Sequence, residues 1–239
     1  MVLPPEKRLK FFVYIIESPS APDLYHRRSE GGLIERTLNL HNIPCVTRLV
    51  ISRDAFIASI KIGLVEEMKA FPGLLPILHI SAHGGTDGLQ LSNGEQIPWT
   101  ELRDLLLPVN KALNGALLLC MSSCEGFSAC RMAMQALGEE HPFFAVISNT
   151  KTPTWSETAI AYAAFYHLIA KGEYVVKAVE AMCLAAGNQD FMTITATQAQ
   201  QVYLDAINQV DVNEARAELQ QEADKEPPSS MAKKLEDAK

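Results

Sequence analysis

The feature that most constrains the fold is an alternation. Five short apolar runs, each the length of a strand, are separated by longer segments with helical periodicity. "FFVYIIES" (11–18) is rich in aromatic and β-branched residues, and "CVTRLVIS" (45–52), "PILHISAH" (76–83), "GALLLCMSSC" (115–124) and "FFAVISNT" (143–150) follow. Between them, "EGGLIERTLNLH" (30–41) reads as a helix. From 53 to 71, Phe56, Ile57, Ile60, Leu64 and Met68 keep helical spacing, and a helix is expected over 127–137. Further helices are expected over about 155–171 and 173–186. Asn93-Gly94 marks a hairpin turn, and Thr100 stands where an N-cap belongs ahead of Leu102, Leu105 and Leu106.

Strands alternating with helices imply an α/β fold with a mostly parallel sheet and helices on both faces. Right-handed crossovers then bring the C-terminal ends of the parallel strands to one edge, where ligands of such sheets bind. The expected organisation is a domain over 1–190, a helical extension over 191–222 and a disordered tail over 223–239. The tail is expected because "KEPPSSMAKKLEDAK" has too few apolar residues for a core.

Composition narrows the function. The chain has 239 residues, 48% of them hydrophobic, and a net charge of -7. With no cationic excess, a nucleic acid polymer is not an expected partner. No apolar stretch reaches the roughly 18 residues of a membrane span, and the N-terminal apolar run lacks a small-residue cleavage site. A cytoplasmic protein without a membrane partner is therefore expected. Five cysteines without a CxxC pair suit a reducing compartment. Cys120 lies four residues before Cys124, but no third and fourth ligand stand at metal spacing, so no zinc site is expected.

Two strand ends carry chemistry. His83 closes the third expected strand and Cys124 the fourth. If these strands are neighbours, an imidazole meets a thiol at the ligand-binding edge. A free thiol, with a pKa of about 8.5, needs such a neighbour to act as a nucleophile at neutral pH. Gly84 leaves room for a substrate carbonyl, and the backbone N–H groups of Gly84 and Cys124 are the natural oxyanion donors. Gly126 and a helix beginning near Phe127 would add a positive dipole beside the thiolate. His79, mid-strand on the face of His83, reads as a core or supporting residue. "GGTDG" lacks a following GK[ST] and is no phosphate loop.

"ISAHGG" and "LLLCMSSCEG" resemble the histidine and cysteine motifs of the caspase-like cysteine peptidases, the clan of caspases, metacaspases, separases and bacterial CHAT proteins. The spacing of the two motifs is similar to the roughly 50 residues between caspase histidine and cysteine. The resemblance spans roughly residues 10–185. It implies a caspase-haemoglobinase-like three-layer αβα sandwich and a hydrolase with His83 as base and Cys124 as nucleophile. The implied activity is that of a cysteine endopeptidase on a protein or peptide substrate, with no cofactor required for the chemistry. It also implies a latent effector, as in antiviral defence, switched on by a signal-producing partner protein or a nucleotide-derived activator. Arg27, Arg28 and Arg53 are the candidate phosphate ligands for such an activator.

Departures bear on specificity. Metacaspases place an aspartate two residues before the cysteine and caspases a glutamine; here the position is Ser122. In "DLYHRRSEGGLIERTL" the pair Arg28-Ser29, with Arg27 beside it, is similar to the caspase stretch that reads a P1 aspartate. An acidic P1 is thus expected, while Glu17, Asp23, Glu30 and Asp87 nearby would favour a basic one. Ser148 and Trp155, in "SNTKTPTWSE", are placed to contact an extended peptide. "LGEEHPFF" leaves no room for a cleavable intersubunit linker, so a single-chain enzyme is expected. Two rival readings remain: a catalytically inactive caspase-fold module that binds a ligand or protein, and a cysteine hydrolase of a non-peptide amide or ester.

Overall fold

The computed structural model describes residues 9–134, 140–207 and 209. Its centre is an eight-stranded sheet in which β1 (Phe11–Ser18), β2 (Cys45–Leu49), β3 (Leu75–Gly85), β6 (Leu118–Ser122), β7 (Ala145–Asn149) and β8 (Phe191–Thr195) run in the order β2-β1-β3-β6-β7-β8. All neighbours in this path are parallel except β7 and β8. The hairpin of β4 (Gly88–Gln90) and β5 (Gln96–Pro98) continues antiparallel from the end of β3, around the turn at Asn93-Gly94.

Strand alternation divides β1 between two cores. Phe12, Tyr14 and Ile16 face one side, packed with Phe56, Ile60 and Leu64 and with Leu102, Leu105 and Leu106. These come from α3 (Arg53–Ala58), the π-helical turn Ser59–Leu64 and α5 (Trp99–Ala112). Phe11, Val13 and Ile15 face the other side, against Ile34 and Leu38 of α2 (Glu30–Asn39) and Tyr162, Phe165 and Tyr166 of α7 (Trp155–Lys171), with α8 (Val175–Ala186) alongside. A strand buried on both faces reads as a continuous apolar run, which is why β1 looks as it does. The result is α/β, with helices on both faces of a mostly parallel sheet.

Several elements differ from expectation. Helix α5 begins at Trp99, not after Thr100, because the buried indole Nε1 donates to the Thr86 carbonyl and fixes the first turn early. The segment over 53–70 is one helical run broken by the π-turn: the Tyr14 hydroxyl donates 2.8 Å to the Ser59 carbonyl. The helix expected over 127–137 opens as a 3-10 turn, Gly126–Cys130, before α6 (Arg131–Met134); residues 135–137 lie outside the described residues. Strand β8 was not expected. It pairs with β7, so the sheet continues past residue 190, and residues 191–195 are not part of a helical extension. The chain divides into two units after Ala199; in the second, residues 200–207 are helical. The tail expected over 223–239 lies outside the described residues. Among the described residues no helix is long and apolar enough to cross a membrane.

Pairing of β3 with β6 sets the register that matters. Ser81 lies opposite Ser122, the last pair of the ladder. His83 and Cys124 each follow two residues later, at the same edge of the sheet.

Tyr14 should hold the π-turn. Tyr14→Phe, which keeps the ring and removes the hydroxyl, is expected to lower the unfolding free energy by about 1–2 kcal/mol in urea denaturation. An unchanged midpoint would show that the turn stands without it.

Candidate active site

The third and fourth parallel strands of the chain end differently, and the difference shapes the site. β3 runs on through His83 to Gly85, where His83 lies opposite Gln90 and Gly84 opposite Leu89. β6 stops at Ser122, and Cys124 sits beyond it in a tight turn. That turn is closed by the Gly126 N–H on the Ser123 carbonyl, and Glu125 N–H donates 2.7 Å to Lys151 O. Glu125 takes a left-handed conformation (φ 50), uncommon for a residue with a side chain. A Cβ on Gly126 would lie 2.4 Å from Ser148 Oγ and 2.5 Å from Ser123 Oγ. A Cβ on Gly84 would lie 2.8 Å from the Cys124 carbonyl oxygen. The absence of a side chain at Gly84 is what lets the histidine strand approach the cysteine turn.

His83, Cys124, Ser122, Ser123 and Trp155 line one cavity of about 250 Å3. The imidazole stands edge-on to the Trp155 indole at a centroid distance of 6.0 Å. Among the described residues no hydrogen bond joins His83 to Cys124. The Cys124 N–H donates to no described carbonyl or side-chain acceptor and lies against its own sulfur, so it is free to serve as an oxyanion donor. Burial raises the Cys124 thiol above its ordinary value, and the Glu125 carboxylate raises it further. The thiol is therefore protonated at neutral pH in this arrangement. Burial pushes Cys120 and Cys45 up to about 12, which makes them inert.

The positive dipole at the cavity does not come from the helix after Cys124, whose first turn is a five-residue 3-10 segment. It comes from α7. Thr154 caps that 17-residue helix in a reciprocal capping box with Glu157, and Thr154, Trp155 and Thr158 line the cavity. Thr154-x-x-Glu157 is legible in the sequence as that motif.

Beneath the site lies a carboxylate. Glu30, in the first turn of α2, accepts from Ser81 Oγ at 2.7 Å and from Ser122 Oγ at 2.9 Å. Its Oε2 stands 3.8 Å from His79 Nε2. His79 Nδ1 in turn meets the Tyr166 hydroxyl at 3.1 Å. Glu17, at the end of β1, accepts from Ser29 Oγ and from the Glu30 and Gly31 N–H groups. These contacts join residues far apart in sequence, so only the bare presence of the acids was visible there.

The other expected site residues are placed as follows. Ser122 is buried and spent on Glu30. Ser148 is fully buried and donates to the Met121 carbonyl, so it ties β7 to β6 and does not meet substrate. Arg28 lines a second cavity but is paired with Asp23 at 3.3 Å. Arg27 is exposed with φ 54 and lines neither cavity. Arg53 is bound to Glu101 and lines neither cavity. The three arginines therefore do not form one phosphate pocket. A larger cavity of about 450 Å3, lined by Asn110, His141 and Phe144, lies at the opposite, N-terminal edge of the parallel strands. Among the described residues no group of three or more His, Cys, Asp or Glu side chains is placed to hold a metal ion.

No family model and no curated protein matches the chain. The resemblance to caspase-like peptidases thus rests on the motifs around His83 and Cys124.

Reactivity should follow the thiol's surroundings. Alkylation of Cys124 by iodoacetamide is expected to rise with pH beyond the range of a free thiol near 8.5. Glu125→Gln removes a negative charge and should speed labelling at pH 7 by roughly two- to threefold. Peptide mapping by mass spectrometry reads both. Gly84→Ala should cost about 1–3 kcal/mol of stability and open the cavity, read by urea denaturation and faster labelling.

Proposed function

We propose that the protein is a caspase-like cysteine endopeptidase acting through His83 and Cys124. The observation that carries this reading is their convergence in one cavity at the C-terminal edge of adjacent parallel strands, beside the free Cys124 N–H. In the proposed reaction His83 takes the thiol proton and the sulfur attacks the scissile carbonyl. The oxyanion forms against the N–H groups of Gly84 and Cys124, the α7 N-terminus favours the negative charge, and His83 returns the proton to the leaving amine. Water then hydrolyses the thioester. Trp155 holds the imidazole edge-on and walls the cavity.

The raised thiol and the unmade His83–Cys124 hydrogen bond support a resting enzyme, consistent with a latent effector that an activator brings into register. A shift that closes the pair would lower the thiol's pKa by ion-pairing. The same raised thiol also favours a second reading, a catalytically inactive binding module of this fold.

Hydrolysis of a fluorogenic peptide library with P1 varied separates the two. Cys124→Ala should abolish activity, and His83→Ala should lower kcat/KM by at least about 10³-fold with folding intact. Activity that survives Cys124→Ala would overturn the dyad. No hydrolysis, with and without nucleotide second messengers, would favour the binding module.

A further inference from the structure

The ladder between β3 and β6 ends at the rung of Ser81 and Ser122. From there β3 runs on to Gly85 against β4, while β6 stops and the chain turns through Cys124. His83 and Cys124 both stand beyond the last rung, so their relative position depends on what ties the two strands at that rung. Glu30 spans it. Ser81 Oγ donates 2.7 Å to Oε2, and Ser122 Oγ donates 2.9 Å to Oε1. Each carboxylate oxygen takes one strand, so a shift of either strand end lengthens one of the two bonds. With Glu30 only 5% exposed, solvent is a poor substitute for either hydroxyl.

The residue that bridges the rung is itself fixed. Its N–H donates 2.7 Å to Glu17 Oε1 at the end of β1, and Ser29, the N-cap of α2, donates 2.8 Å to Glu17 Oε2. A Cβ on Gly31 would lie 2.8 Å from Thr47 Cγ2, so the first turn of α2 lies directly on the sheet. On the core side His79 Nε2, buried and without a hydrogen-bond partner among the described residues, stands 3.8 Å from Oε2. The first turn of α2 thus links the ends of β1, β3 and β6.

We propose that Glu30 is a positioning residue for the dyad: through Ser81 and Ser122 it holds the ends of β3 and β6 in the register that keeps His83 and Cys124 across one cavity. This rests on the peptidase reading above. Among the described residues the Glu30 carboxylate bonds to neither His83 nor Cys124, so it takes no part in the proton transfer. Its contribution is geometric. Geometry of this kind matters because a misplacement of about 1 Å can slow a reaction roughly 100-fold.

The test is a double-mutant cycle on the full chain. Glu30→Gln keeps the size of the side chain but replaces one acceptor oxygen by a donor, so both serine hydroxyls can no longer be accepted in this arrangement. The rate of Cys124 labelling by a peptidyl acyloxymethyl ketone is measured in wild type, Glu30→Gln, His83→Ala and the double variant, each checked for folding by circular dichroism and urea denaturation. Glu30→Gln should slow labelling roughly tenfold when His83 is present. In the His83→Ala background it should slow labelling by less than about twofold, because no imidazole is left to position. In peptide hydrolysis Glu30→Gln should lower kcat and leave KM within about twofold. Equal slowing in both backgrounds would assign Glu30 a general structural role and overturn the proposal. So would a labelling rate unchanged by Glu30→Gln while His83→Ala slows it, and in that case the dyad stands. If Glu30→Gln does not fold, Ser81→Ala and Ser122→Ala carry the same cycle, and each should slow labelling only where His83 is present. If His83→Ala itself leaves the rate unchanged, the peptidase reading fails and the positioning role falls with it.

Discussion

The site depends on one buried carboxylate. Glu30, from the first turn of α2, accepts hydroxyl hydrogen bonds from Ser81 on β3 and Ser122 on β6. Those serines face each other across the last rung of the ladder, and each lies two residues before a reactive residue. A fixed serine pair fixes where each strand leaves the sheet. His83 continues along β3, while Cys124 turns away. A carboxylate in this position would carry a large desolvation cost unless hydrogen-bonded. The hydroxyls offset that cost, and they commit three elements to a single arrangement around the cavity.

Electrostatics divides the cleft in two. On the cysteine side, the first turn of α7 lines the cavity with Cys124, and Glu125 opposes ionisation of the thiol. On the far side of Trp155 the lining is acidic. Asp23 bridges the halves. Its carboxyl is held below the usual range first by the Ser20 hydroxyl, against the effect of burial, then by Arg28 and more weakly by His83. His83 therefore lies within electrostatic reach of an acid that lines the second cavity.

Much of the framework was legible in the residues. Apolar runs bounded by turn residues located all five parallel strands, and the strand-helix alternation implied their common edge, so His83 and Cys124 stood out as a pair. Strand β8 escaped because an antiparallel edge strand after two helices has no place in a β-α alternation. The start of α5 escaped because the tertiary bond of Trp99 overrode the local signal at Thr100. Ser148 looked available at a strand end but is consumed by Met121. Glu30 was visible as an acid near the site; its bonds to Ser81 and Ser122 span 51 and 92 residues and leave no local pattern. Arg28 illustrates the same limit, since its pairing with Asp23 depends on a turn of α1 (Ala21–Tyr25) that brings them together.

The central claim is that the Cys124 sulfur attacks with the assistance of His83. Its most direct measurement is covalent labelling with a peptidyl acyloxymethyl ketone, followed by proteolytic mapping of the adduct in the wild type, His83→Ala and Cys124→Ala proteins. The account predicts a single adduct on Cys124, absent in Cys124→Ala and formed far more slowly in His83→Ala. An adduct on another cysteine, or a Cys124 adduct whose rate does not change in His83→Ala, would contradict it.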